Sequence, residues 1–313
     1  MKILSIPEGA ADDLAGYPTE RRYVTIPAGD GQDLRVHLVD TGDSSATPVV
    51  MLHGNPSWSY LWRHQIPAVA AEGYRVIAPD LVGMGLSDKP SELDDYSAAA
   101  HVGWMRSVLF DELDLPDITF VLHDWGAIIG LRLVAEQPDR VSRVVVSNSG
   151  LPTRDPSEPM PDDLEVKGPF AGFQTMAREA PVWEPWSLLP MVMESDPSAE
   201  VTAAYRAPYP DPSLTIGSRA FTQLLPTRPD NPMLPDNFEA WKVLDQFDKP
   251  FLTIFSDKDV VAPTGHQELV RRIPGAKGQP HVILEGGGHF LQEDIPDAYT
   301  EALVTWLGSA GRS

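Results

Sequence analysis

Val121-Leu122-His123-Asp124-Trp125-Gly126 (VLHDWG) reads as the end of an apolar strand, a carboxylate at the turn, and the start of a helix. The apolar run begins at Ile118, and helix-forming residues continue from Gly126 to Gln137. A strand that turns into a helix at one polar residue is a unit of α/β sheets. Working outward, β-rich runs recur at Tyr23 to Pro27, Leu34 to Asp40, Val49 to His53 and Arg75 to Pro79. Beyond Ile118 to His123 they continue at Val144 to Asn148, Phe251 to Ser256 and His281 to Glu285. From the third onward several are nearly all apolar, as strands buried on both faces should be. Between them lie helix-length stretches at Trp58 to Glu72, Ser97 to Leu113, Gly126 to Gln137, Thr264 to Ile273 and Pro296 to Leu307. A hairpin-like pair followed by alternation predicts an α/β fold: a mostly parallel eight-stranded sheet with helices on both faces.

The alternation fails between about Gly150 and Asp248, where Pro, Trp, Met and Asp accumulate. Prolines at 152, 156, 159, 161, 169, 181, 185 and 190 break any long helix there. We read residues 151–230 as a helical cap inserted over the carboxyl edge of the sheet, where α/β folds bind ligands. Residues 1–150 and 231–313 then form the core. No internal repeat or low-complexity tract interrupts this plan.

The chain has 313 residues, with 24 basic against 45 acidic residues and a formal charge of −21. Such a surface repels phosphate backbones and anionic lipid, so nucleic acid and membrane are not expected partners. Cysteine is absent, which excludes disulfides, thiolate chemistry and cysteine-ligated metals. The first apolar stretch is too short for a secretory leader, and no run approaches the roughly eighteen residues of a membrane span. A cytoplasmic protein is expected.

Asp124, Asp259 and His289 each follow the end of a predicted strand, in the order in which a nucleophilic hydrolase places its triad. A carboxylate nucleophile suits displacement at a saturated carbon, because in-line attack forms an alkyl ester that is later hydrolysed at the aspartate's own carbonyl. His289 would take the proton from water, and Asp259 would orient the imidazole and stabilise its charge. Asp257 competes for that role, but Asp259 enters the turn closed by Pro263, which leaves Asp257 beside Lys258. Gly286-Gly287-Gly288 precede His289 and offer positive φ to the loop that carries it. His53-Gly54-Asn55-Pro56 ends the third strand, where the backbone N–H of Asn55, with that of Trp125, would form an oxyanion hole. Taken singly, each residue has a plainer reading: Asp124 as a helix N-cap, His289 as a turn residue, and Asn55 as part of a strand-to-helix turn.

His53 to Arg63 (HGNPSWSYLWR), Arg75 to Pro90 (RVIAPDLVGMGLSDKP), VLHDWG, Gly288 to Glu293 (GHFLQE) and Ala204 to Asp211 (AYRAPYPD) resemble the haloalkane dehalogenases of the α/β-hydrolase superfamily. The resemblance runs over nearly the whole chain. It implies that Asp124 is the nucleophile, His289 the base and Asp259 the acid, with the Trp125 indole N–H on the departing halide. Dehalogenases acting on small dichloroalkanes place a cap tryptophan after Phe-x-x, but this chain reads Phe170-Ala171-Gly172-Phe173, and phenylalanine has no N–H. Other subfamilies use the asparagine of His-Gly-Asn, so the resemblance assigns Asn55 with Trp125, holding Trp183 and Trp186 in reserve. It implies a small halogenated alkane, water and halide ion as partners, a monomer, and neither cofactor nor metal.

An epoxide hydrolase shares the triad but needs acid help for its alkoxide, which its relatives take from cap tyrosines. Here the cap offers only Tyr205 and Tyr209, and Leu122 stands where such enzymes carry glycine. A β-lactone-cleaving relative would preserve every residue named. A non-catalytic binding protein would carry an unreactive Asp124. Fluoroacetate dehalogenases have arginine where Trp125 stands.

Overall fold

A computed structural model describes residues 1–313 apart from 8, 13, 19, 30, 161–168 and 310–313. Its main sheet is built from β1 (Arg22–Pro27), β2 (Asp33–Thr41), β3 (Pro48–Leu52), β4 (Arg75–Pro79), β5 (Ile118–His123), β6 (Val141–Ser147), β7 (Phe251–Ser256) and β8 (Val282–Leu284). The spatial order is β8-β7-β6-β5-β3-β4-β2-β1. β2 runs antiparallel to both β1 and β4, and every other pairing is parallel. The chain leaves β3 for β4 on one side and returns to β5 on the other, so a switch point opens beyond the carboxyl ends of β3 and β5. A separate two-residue ladder pairs Ile3–Leu4 with Lys89–Pro90.

The α-helices are α1 (Gln65–Ala71), α2 (Ala98–Arg106), α3 (Trp125–Glu136), α4 (Pro169–Glu179), α5 (Leu189–Val192), α6 (Ala199–Arg206), α7 (Ile216–Leu224), α8 (Met233–Leu244), α9 (Gly265–Arg272), α10 (Leu291–Asp294) and α11 (Pro296–Ser309). Among the described residues none is long and apolar enough to cross a membrane.

Alternate strand residues feed two cores, as a pleat of period two requires. Val50 and Leu52 of β3 and Phe120 and Leu122 of β5 join residues of α2, α3, α8 and α9 on one face. Val49, Met51 and Val121 join residues of α1 and α11 on the other. Each such buried side chain contributes about 1.5–3 kcal/mol relative to exposure, so a one-residue slip of register would be costly on both faces.

Some boundaries differ from the sequence reading. The stretch Trp58 to Glu72 is a 3-10 turn, Ser59–Trp62, followed by α1. Pro67 lies in the first turn of α1, where its missing N–H leaves no helical bond unmade. The stretch Ser97 to Leu113 is α2 followed by a π-helical segment, Ser107–Glu112. β6 starts three residues early because Arg143 donates to the carbonyls of Trp306 and Leu307 at the end of α11, at 2.6 and 3.0 Å. Residues 161–168 of the expected cap, with the proline at 161, lie outside the described residues.

Candidate active site

The turn after β5 is tightly packed, with its glycine neighbours in close contact. Asp124 has φ 51° and ψ −125°, a conformation that costs about 1–3 kcal/mol and is sustained only by its surroundings. Those surroundings need glycine. A Cβ on Gly54 would collide with the Asp124 carboxylate, and a Cβ on Gly126 would collide with the carbonyl of Leu52. The Ser149 hydroxyl donates to the Asp124 carbonyl at 2.8 Å and ties the turn to β6. The Asp124 side chain makes no capping bond to α3. Instead its Oδ1 accepts the backbone N–H of Asn55 at 2.8 Å.

The turn brings Asp124 to the other two strand-end residues. His289 Nε2 lies 3.3 Å from Asp124 Oδ2, and His289 Nδ1 lies 2.9 Å from Asp259 Oδ1. Asp259 also accepts the backbone N–H groups of Val261 and Ala262 at 2.9 and 3.1 Å. Asp257 is directed elsewhere, pairing with Lys258 at 3.6 Å and accepting the Gly286 N–H at 2.8 Å.

The expectation that all three glycines before His289 supply positive φ is corrected. Only Gly286 adopts it, at 83°. Gly287 and Gly288 are needed for close approach: a Cβ would fall 2.9 Å from Ile295 Cδ1 and 2.7 Å from the Val192 carbonyl, respectively.

Asp259 and His289 are buried and Asp124 is half-buried, and burial alone would lower the imidazole's affinity for protons and raise that of the carboxylates. Their mutual bonds prevail. Against that desolvation, Asp124 and Asp259 push His289 up to about 9. The imidazole in turn holds Asp124 and Asp259 below the ordinary carboxylate value. The three groups therefore stabilise one another's charged forms.

Asp124 and His289 open onto a cavity of about 290 Å³ lined also by Asn55, Trp125, Phe170, Phe173, Leu188, Val192, Leu225 and Val261. The lining is largely apolar, and α4, α5 and α7 cover the sheet edge. Trp125 lines this space beside Asp124, and among the described residues no group accepts its indole N–H. The two reserve tryptophans lie elsewhere. Trp183 is buried with its indole N–H donated to Ser218 Oγ at 3.2 Å, and Trp186 stacks against Tyr209.

Several positioning residues escape a sequence reading. Asn148 Nδ2 lies 3.0 Å from the carbonyls of both Gly288 and His289, and the His289 carbonyl also accepts from His123 Nε2 at 2.8 Å. The His289 N–H donates to Val192 at 2.7 Å, so the loop is pinned from both sides. Asn148 follows a strand end as Asp124 does, which is a usable signal; His123 carries none. Arg63 grips Glu293 with bonds of 2.6 and 2.7 Å, and the Tyr205 hydroxyl donates to the same carboxylate at 2.8 Å.

A strand-end carboxylate in a strained turn, a histidine bonded to a second carboxylate, and this strand order define an α/β hydrolase. The family model described as alpha/beta hydrolase fold matches residues 47–184. Haloalkane dehalogenase 1 of Mycobacterium bovis is 42% identical over 306 residues, spanning 98% of this chain and 99% of that protein. Haloalkane dehalogenase of Psychrobacter cryohalolentis is 43% identical over 307 residues, spanning 98% of each chain. The tetrameric haloalkane dehalogenase DpaA of Paraglaciecola agarilytica superposes with a TM-score of 0.83 at 28% identity, covering 99% of both chains. The chain belongs to the haloalkane dehalogenase family, hydrolases that act on carbon–halide bonds.

Proposed function

We propose that this protein converts small haloalkanes to a primary alcohol and halide through an ester on Asp124. The observation that carries the reading is one apolar cavity lined by Asp124, His289 and Trp125, with no phenol, guanidinium or ammonium group among its described lining residues. Asp124 Oδ1 is held by the Asn55 N–H, the donor that serves the later oxyanion, so Oδ2, which rests against His289, is the attacking atom. It displaces halide in line; the carbon–halogen bond breaks with its electron pair leaving on the halide, which the Trp125 indole and the Asn55 side-chain amide receive. Water then adds to the ester carbonyl as His289 takes its proton, assisted by Asp259, while the backbone N–H groups of Asn55 and Trp125 stabilise the oxyanion. Collapse releases the alcohol and restores Asp124. Neither cofactor nor metal enters these steps.

Neither cap tyrosine supports epoxide opening. The Tyr205 hydroxyl is bonded to Glu293, that of Tyr209 lies 3.9 Å from Met84 Sδ, and neither residue lines the cavity. The domain division at 151–230, a monomeric state and a cytoplasmic location belong to the same proposal.

The test is halide release from 1,2-dibromoethane and 1-bromobutane, with styrene oxide and a β-lactone assayed alongside. Release by the wild type that disappears in Asp124→Ala is expected. Diol or decarboxylated product without halide would overturn the assignment of Trp125 and Asn55.

A further inference from the structure

An asparagine beside a departing anion is useful in only one of its two amide orientations: Nδ2 donates, whereas Oδ1 repels. Asn55 lines the cavity, and its Oδ1 lies 2.7 Å from the Ser218 hydroxyl oxygen on α7. That same oxygen lies 3.2 Å from Trp183 Nε1. An indole nitrogen can only donate, so Ser218 Oγ must accept from Trp183. The hydroxyl's own proton is then left for Asn55. Were Asn55 turned to donate as well, that proton would have no acceptor in a site where Ser218 is fully buried and Trp183 is 4% exposed.

Ser218 sits inside α7, where serine side chains ordinarily bond their own helix's backbone or face solvent. It does neither. The helix is seated by contact between Gly217 and Gly83, at which a Cβ on either residue would collide with the other.

We infer that Ser218 and Trp183 are positioning residues, forming a relay from the insertion to the core turn that holds the Asn55 amide with Nδ2 toward the leaving group. The relay rests on the dehalogenase reading and names what enforces its second donor. Accepting the Ser218 proton also polarises the Asn55 amide and strengthens its N–H as a donor.

The experiment compares wild type, Ser218→Ala, Ser218→Thr, Trp183→Phe and Asn55→Ala, each checked for an unchanged melting temperature. It measures halide release from 1-chlorobutane and 1-bromobutane, bromide affinity from tryptophan fluorescence, and the single-turnover rate of ester hydrolysis. Ser218→Ala is expected to lose about tenfold in kcat/KM on the chloride, the upper end of what one neutral hydrogen bond contributes. The loss should be smaller on the better leaving group, bromide affinity should weaken in parallel, and ester hydrolysis should be unchanged. Trp183→Phe should fall between Ser218→Ala and wild type, and the hydroxyl of Ser218→Thr should restore the chloride-to-bromide ratio. Should Asn55→Ala lose halide release while Ser218→Ala keeps wild-type bromide affinity and substrate ratio, the relay is overturned and the dehalogenase reading stands. An equal loss on both substrates with unaltered bromide affinity would also overturn it, as a purely structural effect. A folded wild type that releases halide from neither substrate sinks the dehalogenase reading and the relay together.

Discussion

His289 Nε2 lies 3.3 Å from Asp124 Oδ2 across 165 residues of sequence, and each favours the charged form of the other. In the proposed mechanism this contact would tie the state of the base, His289, to that of the nucleophile, Asp124. While Asp124 is ionised, it helps hold the imidazole at about 9. Under the proposed mechanism, esterification would remove that charge, leave only Asp259 to favour the imidazolium, and lower the proton affinity of His289 when a base is required.

The two chemical steps should therefore respond differently to pH. Asp124 lies below its ordinary carboxylate value, so attack persists on acidification past the point where an ordinary aspartate would begin to protonate. Ester hydrolysis needs neutral imidazole and slows as pH drops through an ester-state value below about 9. Rapid-quench measurement from pH 5 to 9 should show a halide burst of one equivalent that stands out at acid pH and fades toward pH 9. Parallel loss of both steps would contradict the coupling.

Replacing His289 with Phe should preserve one turnover of halide release and trap the alkyl ester on Asp124. Intact-protein mass spectrometry would find the added alkyl mass after incubation with 1-bromobutane. Continued turnover would remove His289 from the mechanism.

Gly54→Ala places a methyl group against the Asp124 carboxylate. The strain should cost about 1–3 kcal/mol of stability. Displacement of the attacking oxygen should lower kcat by about a hundredfold. Thermal melts and steady-state kinetics check both, and a fully active variant would show that the turn tolerates movement.

Phe173 lines the cavity without offering a donor. In an Asn55→Ala background, expected to lose about tenfold in kcat/KM, Phe173→Trp should recover part of the loss by presenting an indole N–H from α4. Bromide affinity measured by fluorescence should recover with it. A folded double variant with no recovery would place residue 173 out of reach of the halide.

Much of the fold is legible because strands buried on both faces must be apolar along their length. Arg75 to Pro79, Ile118 to His123 and Phe251 to Ser256 coincide with β4, β5 and β7 to the residue. β6 starts earlier than its apolar run, because Arg143 finds its partners on a helix 163 residues away. The insertion is harder to read. Its prolines say where helices stop, not how the pieces turn, and their apolar residues serve the cavity, the core and one another alike.

The sequence by itself determined the sheet, the order of the strand-end residues, and a carboxylate rather than a hydroxyl at the strained turn. Periodicity and chain order carry that information locally. Only the tertiary structure decided between Asp257 and Asp259 as the partner of His289, directed the Trp183 N–H to Ser218 instead of the cavity, and bonded Tyr205 to Glu293. Each of these is the destination of a hydrogen bond between segments distant in sequence. A buried donor takes whichever acceptor the packing brings within about 3 Å, and no local pattern encodes that neighbour.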